Sequence, residues 1–230
     1  MVVEIFPVPG LPDIEPGDDL AALLVKVVAP LHPRYGDILV VTHKVVSKAE
    51  GAIASVATEE DYRNVVASEA TSIVRRRGDM VIAVTRHGFV CANAGVDRSN
   101  VTGDRVVLLP RNPDRSAHRI RTRLQRDLGV DLAVVISDTF GRTWRRGLVD
   151  VAIGVSGISP ILDLKGTTDM HGRLLEVTEV AIADEVAAAA ELAMGKATGI
   201  AAALVRGLAI EPGEGRASEL VRHPNEDLFR

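Results

Sequence analysis

The segment from Leu132 to Gly147, LAVVISDTFGRTWRRG, constrains this chain more than any other part of its sequence. It opens with a run of apolar, mostly β-branched residues, and such a uniform run is typical of a strand buried on both faces. The run stops at Ser137, Asp138 and Thr139, so we predict a core strand with polar side chains at its exit. An acid and a hydroxyl beside several arginines suit a divalent cation that carries phosphate. An ordinary strand exit whose aspartate caps the next helix fits the same residues equally well.

The composition describes a globular chain without a nucleic-acid or membrane signature. Its 230 residues are 47% hydrophobic, which is enough for a full core, and its formal net charge is -4, which implies no basic face for nucleic acid. Cys91 is the single cysteine, so no intramolecular disulfide forms, which fits a reducing cytoplasm. No apolar run reaches the eighteen or so residues that a membrane span needs. We therefore expect a cytoplasmic protein with neither a nucleic-acid nor a membrane partner.

Strands and helices alternate irregularly along the chain, which favours the α+β class, with mixed sheets and packed helices, over a regular βαβ fold. Helices are predicted at 18–28, 59–76, 116–128 and 180–194. Strands are predicted at 2–8, 37–42, 80–85, 89–92, 106–109, 132–136, 151–155, 174–177 and 201–205. We treat residues 1–230 as a single catalytic unit. Two interleaved lobes within that unit are also compatible with the sequence. Residues 212–230 form a polar C-terminal tail that we expect to be loosely held.

Four polar loops, at 10–17, 43–51, 94–100 and 138–147, each follow an apolar run and could meet at one edge of a sheet. Asp97 with Asn100, and Asp138 with Thr139, would then supply oxygen ligands from two loops. Two cations held close together clamp the attacking and leaving oxygens in phosphoryl transfer. Taken alone, residues 97–100 are more often an Asx-turn with nothing bound.

Three arginines, one cysteine and the lack of common nucleotide-binding motifs further restrict the possible sites. Arg142, Arg145 and Arg146 lie so close together that we expect anions beside them, although a solvated basic face is the simpler alternative. Cys91 follows Phe89 and Val90 and is expected to be buried rather than nucleophilic. The chain contains neither a GxxxxGK[ST] phosphate loop nor a GxGxxG motif, so a P-loop or Rossmann nucleotide site is not expected.

Several long blocks, in order and at matching intervals, resemble the coenzyme F-420:L-glutamate ligase family, also called F-420-0:γ-glutamyl ligases. The blocks are GLPDIEPGDDL, DILVVTHKVVSKAEG, AGVDRSN, VVISDTFGRTWRRG, VDVAIGVSGI and LLEVTEVAIADEVAAAAELAMGKATGIAAALVRG. The resemblance covers residues 4–207. It implies an unusual α+β ligase fold that forms an intertwined homodimer. It also implies an enzyme that uses GTP, Mg²⁺ or Mn²⁺ at two sites, and a monovalent cation such as K⁺. Such an enzyme joins L-glutamate to a deazaflavin coenzyme precursor and releases GDP and phosphate.

The resemblance also implies roles for individual residues. Those implied to contact the guanine nucleotide are Leu11, Pro12, Asp13, Ile14, His43, Lys48 and Asn100. Asp97 and Asp138 match the ligands of one metal, and Thr139 matches a ligand of the second. The segment 194–201 matches a further nucleotide-binding loop with a second-metal ligand near Lys196. A charged lysine cannot ligate a metal, so this chain departs from the pattern there.

The resemblance and the residues together suggest a reaction. The γ-phosphoryl group of GTP would pass to the terminal carboxylate of the precursor, and the α-amine of glutamate would displace phosphate from the resulting acyl phosphate. From their charge, Arg145 and Arg146 are candidates to hold the anionic groups of the substrates, while Glu176 and Glu179 are candidate bases for the amine. Two alternatives stay open at this point. One is a metal-dependent phosphatase or nucleotide hydrolase, and the other is a non-catalytic nucleotide-binding regulator.

Overall fold

The computed structural model describes residues 2–99 and 103–228, and these form an α+β fold around a six-stranded sheet. The α-helices in this part of the chain are α1 (Leu20–Val28), α2 (His43–Ala49), α3 (Glu59–Glu69), α4 (Pro113–Leu128) and α5 (Ile182–Met194). The first seven strands are β1 (Glu4–Pro7), β2 (Ile38–Thr42), β3 (Ile53–Ser55), β4 (Ala70–Arg77), β5 (Met80–Thr85), β6 (Val90–Ala92) and β7 (Arg105–Val107). The later strands are β8 (Ala133–Arg142), β9 (Arg145–Ile158), β10 (Leu162–Asp163), β11 (Glu179–Val180), β12 (Ala202–Arg206) and β13 (Pro212–Gly213).

The central sheet has the strand order β1-β12-β2-β8-β9-β13 and is mixed, because β2 and β8 run parallel while the other neighbours are antiparallel. Helices cover both faces. Val134 and Ile136 pack in one hydrophobic cluster with α1 and α4, and Val135 packs on the other face with α5. The prediction of a strand buried on both faces is therefore confirmed for the start of β8.

The remaining strands form three small sheets, β4-β5-β6, β3-β7 and β10-β11. Val66 of α3 packs with Val81, Val96 and Val106 in a third hydrophobic cluster, which joins α3 to the sheets beside it. This arrangement holds the 94–99 segment next to β7, where Asp97 forms a single β-bridge with Val107.

The predicted helix at 59–76 is correct only in its first part. Thr58 begins α3 with a capping box that includes Asp61. The helix ends at Glu69, and residues 70–77 form β4 and pair with β5. Thr71, Ile73 and Val74 are β-branched and favour a strand once a partner strand is available. The local charge pattern of residues 70–77 does not reveal that β5 pairs with them.

Two of the predicted loops are regular structure. The segment at 43–51 opens with α2, which begins directly after β2. Residues 138–147 belong to a long hairpin, because β8 continues to Arg142 and β9 begins at Arg145. Asp138 and Thr139 therefore lie within a strand, where consecutive side chains point to opposite faces, and not at a strand exit.

Two predictions near the C-terminal end also need correction. Residues 174–177 form no strand, since only Leu174 makes an isolated bridge, to Thr168. The tail is attached more closely than expected: Gly213 pairs with β9, and Ala217 is fully buried. Across the described residues, no helix combines the length and the apolar character needed to cross a membrane.

Candidate functional site

A cavity of about 270 Å³ lies between the loop after β1, the first turns of α2, the β8–β9 hairpin and the loop that follows α5. It brings together six residues singled out from the sequence: Leu11, Pro12, Asp13, Ile14, Lys48 and Thr139. The 194–201 loop contributes much of another wall, including Gly195, Lys196 and Gly199. Segments far apart in the chain thus form one concave surface. Three of the four polar loops predicted to converge contribute to it, 10–17, 43–51 and 138–147, whereas the described residues of 94–100 do not.

Lys48 and Asp13 form an ion pair at the mouth of this cavity. The Lys48 Nζ lies 2.7 Å from Asp13 Oδ1, and the lysine side chain is 12% exposed while the carboxylate is 70% exposed. The hydrogen bond from Lys48, together with its charge, lowers the pKa of Asp13. The aspartate is therefore an anion that holds the lysine ammonium in place.

The opposite wall is built on Asp150, which sequence analysis did not single out. Thr139 of β8 faces Asp150 of β9 in the hairpin register, and its hydroxyl donates to Asp150 Oδ1 at 2.7 Å. The Ser137 hydroxyl donates to the other carboxylate oxygen at 3.1 Å. Lys196 Nζ donates to Asp150 Oδ1 at 2.6 Å and to the Thr139 hydroxyl at 2.7 Å. The carboxylate is nearly closed off from solvent and satisfied by protein groups.

Asp138 points to the opposite face of the hairpin from Thr139. Its Oδ1 accepts a hydrogen bond from the Thr139 backbone N–H at 2.6 Å and lies 3.1 Å from Nε2 of His43. His43 is buried, and its Nδ1 lies 3.4 Å from the Ser47 hydroxyl. The Nε2 atom is close to the carboxylate but makes no well-directed hydrogen bond. His43 therefore lies behind Asp138 and does not line the cavity.

Asp97 approaches the cavity through Lys44. Lys44 lines the cavity, and its Nζ lies 2.9 Å from Asp97 Oδ2. Burial raises the pKa of Asp97, but the Ser99 backbone N–H and Lys44 together outweigh it and leave that pKa lowered. The Ser99 N–H donates to Asp97 Oδ1 at 2.6 Å, which is the Asx-turn considered above. Asn100, the predicted nucleotide contact, lies outside the described residues.

Asp97 and Asp138 thus contact neighbouring residues, Lys44 and His43, at the start of α2. Among residues 2–99 and 103–228, no three His, Cys, Asp or Glu side chains come together as a metal-binding group. Mg²⁺ is commonly held by one or two carboxylates with waters and substrate phosphates, not by an all-protein cage. The donor chemistry of the two carboxylates fits a divalent ion of that kind. Neither Asp97 nor Asp138 is among the residues that line the cavity, and Asp97 reaches it through Lys44.

Cys91 lies next to this region and is a buried thiol. It is buried, and burial, with a smaller contribution from the Asp138 charge, raises its pKa to about 12. A thiol with such a pKa carries almost no thiolate at neutral pH. The prediction that Cys91 is buried is confirmed.

The arginines occupy the exposed end of the hairpin. Arg142 and Arg145 are paired across its tip, and Arg142 donates to the backbone carbonyl of Arg146 at 2.6 Å. Trp144 at the turn has a positive φ of 64° and is 86% exposed. Within the part of the chain that the structure describes, neither Arg145 nor Arg146 has a carboxylate at ion-pair distance. The hairpin therefore extends unneutralised positive charge into solvent.

Glu176 and Glu179 are not brought to the cavity. Both are exposed, and neither lines the cavity. Glu179 of β11 instead forms a surface ion pair with Lys165.

The residues that sequence analysis missed are Asp150, Glu191 and, as a cavity residue, Lys44. Asp150 could have been found if the hairpin had been recognised, because the register then sets it opposite Thr139. Glu191 lies in the last turn of α5, and its carboxylate is 3.3 Å from Lys196 Nζ. Nothing local in the sequence distinguishes it from other acidic residues on a helix.

Three curated relatives match this chain over nearly its whole length. The coenzyme F420:L-glutamate ligase of Methanopyrus kandleri is 44% identical, over 99% of this chain and 98% of the relative. The protein of that name from Methanothermobacter thermautotrophicus is 41% identical over the full length of both chains. The one from Archaeoglobus fulgidus is 42% identical over all of this chain and 97% of the relative.

The family model described as F420-0:Gamma-glutamyl ligase matches residues 10–207, which include every cavity residue discussed above. The match extends from the loop after β1 to the residue that follows β12. A match over most of the chain, with relatives above 40% identity, shows the family, and the chain belongs to the F420-0:γ-glutamyl ligase family.

Proposed function

We propose that this protein is a GTP-dependent ligase that forms an amide between L-glutamate and the deazaflavin coenzyme F420 precursor. The observation that carries the proposal is the cavity lined by Lys44, Lys48 and Lys196, which places three ammonium groups, each paired with a carboxylate, on the segments implied to bind nucleotide. The names of the relatives support a ligase and do not favour a phosphatase or nucleotide hydrolase.

The chemistry of amide formation explains why a nucleotide is needed. A carboxylate is a poor electrophile because resonance spreads its charge over both oxygens. In the proposed reaction a carboxylate oxygen of the precursor attacks the γ-phosphorus of GTP, the bond to the β-phosphate breaks, and GDP leaves. The neutral α-amine of glutamate then attacks the acyl carbon, phosphate leaves, and the amine gives up its proton. Positioning and charge neutralisation are the contributions that the protein has to make.

The cavity residues suit the first of these steps. Lys44 and Lys48 are each held by one aspartate, so their ammonium groups are in position before a triphosphate arrives. Gly195 and Gly199 have positive φ values of 64° and 75°, so the 194–201 loop adopts a backbone that side chains rarely allow. A loop of this kind lets backbone N–H groups approach phosphate oxygens closely.

Asp97 and Asp138 are the residues that would hold a divalent ion, Mg²⁺ or Mn²⁺. When bound, such an ion neutralises charge on the phosphates during transfer. His43 would hold the Asp138 carboxylate from behind, and Lys44 would keep Asp97 ionised. The oxygen atoms of Thr139 and Asp150 do not fit a second divalent ion in the same way, because an ammonium group already lies among them.

The substrate anions are assigned to the hairpin. Arg145 and Arg146 lie five and four positions before Asp150 on β9, which is at most about 17 Å along a strand. The phosphodiester of the precursor and the carboxylates of glutamate are the groups they would contact, since arginine binds both bidentately. This arrangement assigns no role to Glu176 or Glu179.

We also propose that the protein is a homodimer. Apolar side chains are exposed on β4, β5 and the hairpin, where Ile73 is 50%, Met80 56%, Trp144 86% and Leu148 68% exposed. Several large apolar groups on neighbouring elements are typical of a surface that another chain covers. Light scattering should give about twice the chain mass of 24.5 kDa at micromolar concentration, and a monomer mass would contradict the proposal.

The ligase proposal is tested with purified protein, GTP, Mn²⁺, L-glutamate and the coenzyme precursor, with products identified by mass. The expected product is the precursor extended by glutamate, formed together with GDP and phosphate in equal amounts. Omitting glutamate or the precursor should stop phosphate release. Phosphate release that continues when glutamate and the precursor are both omitted would indicate a hydrolase. GTP that is bound but unchanged after long incubation with all components would indicate a regulator.

A further inference from the structure

The ammonium group of Lys196 lies where a bound cation would be expected. Its Nζ is 2.6 Å from Asp150 Oδ1, 2.7 Å from the Thr139 hydroxyl and 3.3 Å from Glu191 Oε1. These three oxygens come from three separate elements, β9, β8 and α5, and all three residues line the cavity. An ammonium is a compact, strongly hydrated point charge, and here protein oxygens take the place of part of its hydration.

The backbone around Lys196 directs it into this position. α5 ends at Met194, and Gly195 follows with φ 64° and ψ 166°, with its N–H donating to Glu191 O at 2.7 Å. The Thr198 hydroxyl donates to the Met194 carbonyl and closes the loop behind the lysine. A positive charge just beyond the last turn of a helix also interacts favourably with the helix dipole. Lys196 is therefore held by the loop as well as by its ion pairs.

Two carboxylates and one ammonium group meet at Lys196. Asp150 is 5% exposed in its side chain, and Glu191 is 24% exposed, so two carboxylates share one ammonium. A buried carboxylate without a cation is strongly unfavourable. Among the described residues, Lys196 supplies the positive charge that lies at ion-pair distance from Asp150.

A divalent ion and the Lys196 ammonium would compete for the same oxygens. Mg²⁺ binds oxygen at about 2.1 Å, so an ion on Asp150 Oδ1 would lie within about 5 Å of the ammonium that already contacts that atom. Two cations at that separation repel each other, and the two carboxylates cannot neutralise both. Lys44 contacts a single oxygen of Asp97, whereas the Lys196 ammonium contacts all three oxygens of this set, so a divalent ion could bind there only by displacing it.

We propose that the Lys196 ammonium is the resident cation of the Asp150, Thr139 and Glu191 oxygens, and that this oxygen set binds no divalent ion. Of the two divalent ions that the family resemblance implies, this chain would then hold only the one at Asp97 and Asp138. This last statement rests on the proposed function, whereas the cation role of Lys196 rests on the contacts alone. The lysine is a positioning residue that keeps Asp150 and Thr139 in register at the cavity wall.

The test is to count bound Mn²⁺ by electron paramagnetic resonance, with and without a non-hydrolysable GTP analogue. We compare the natural chain with Lys196→Ala, which removes the charge, and with Lys196→Arg, which keeps a positive charge at the same position. Lys26→Ala, on the exposed side of α1, is the control for losing a lysine elsewhere. Circular dichroism and thermal melting establish that each variant is folded.

We expect Lys196→Ala to bind one more Mn²⁺ per chain than the natural protein, and the Arg and Lys26→Ala variants to match the natural count. Equal counts for the natural chain and Lys196→Ala would overturn the proposal. Two tightly bound Mn²⁺ in the natural chain with the analogue would also overturn it, even if Lys196→Ala failed to fold. If the extra ion appears but no glutamate is ligated, the proposed function fails and the role of Lys196 stands.

Discussion

The buried imidazole of His43 lies with its Nε2 3.1 Å from Asp138 Oδ1, and the two side chains are only 1% and 11% exposed. The strand that carries Asp138 and the helix that begins at His43 meet at this contact. The contact gives Asp138 a rigid neighbour on one side, and the Thr139 backbone N–H restrains the same oxygen. A carboxylate restrained in this way is preorganised for a ligand on its remaining oxygen.

We predict that Asp138→Asn lowers the ligation rate by 10²-fold or more and leaves the fold intact. The amide oxygen still accepts the Thr139 hydrogen bond, and the substitution opens no cavity, but the negative charge that would hold a cation is lost. The loss corresponds to about 3 kcal/mol of transition-state stabilisation. Steady-state rates at several Mn²⁺ concentrations, beside a thermal melt, measure both effects.

Asp97→Asn is expected to behave like Asp138→Asn, because both carboxylates are assigned to the same ion. Near-normal turnover by the two variants at saturating Mn²⁺ would rule out the metal assignment. Arg98→Ala is a useful control, because Arg98 neighbours Asp97 in sequence and its ion pair with Glu59 is largely exposed.

We predict that replacing Arg145 or Arg146 with lysine raises the apparent KM for the precursor or for glutamate about tenfold, or roughly 1.4 kcal/mol, in at least one variant. Lysine keeps the charge but cannot form the bidentate contact. Because both arginines are exposed on the hairpin, thermal stability should change little. Unchanged KM values for all three substrates in both variants would assign the arginines to solvent or to a subunit interface.

We predict that Gly154→Ala destabilises the protein by about 2 kcal/mol. A Cβ added at Gly154 would lie 2.6 Å from the backbone carbonyl carbon and oxygen of Pro113, so β9 and the start of α4 would have to separate. Gly141→Ala is the matched control, since its Cβ would meet nothing within 4 Å and its φ is not positive. Denaturant unfolding should show the loss for the first variant and a change within about 0.5 kcal/mol for the second. Equal stabilities would mean that the strand and helix separate at little cost.

We predict that Asp184→Asn stabilises the protein more at neutral than at acidic pH. Burial raises the pKa of Asp184 above its ordinary value of 3.8, against the effect of the hydrogen bond from the Ala152 N–H. The folded state therefore binds this proton more tightly than the unfolded state, and stability falls as the pH rises through the folded pKa. Asparagine keeps the acceptor for Ala152 and removes that fall.

Thermal melts of both proteins at pH values from about 3.5 to 7 test the Asp184 prediction. The difference between the two melting temperatures should grow with pH. A difference that is constant across this range, or that shrinks, would contradict the raised pKa. Glu185→Gln, at the exposed neighbouring position, controls for the loss of a charge near the start of α5.

The sequence predicted those helices whose ends are fixed by capping residues next to them in the chain. Asp19 caps α1 by accepting from the Ala22 N–H at 3.0 Å, and Gly129 ends α4 in the left-handed conformation. Both helices end at the predicted residues, Val28 and Leu128. The prediction failed where a distant partner decides the structure. β4 exists because β5 is beside it, and the 138–147 segment is a hairpin because β9 continues the pairing past the predicted end of the strand.

The sequence by itself determined the apolar run in β8, the α+β class, the family and most of the cavity-lining positions, because these depend on residue type and order. Only the tertiary structure decided that Asp138 and Thr139 face opposite sides of one hairpin. It also decided that Asp150 and Glu191 share the Lys196 ammonium. Strand alternation sends neighbouring residues apart, and pairing across the sheet joins residues far apart in the chain. Which charges neutralise one another is therefore set by packing.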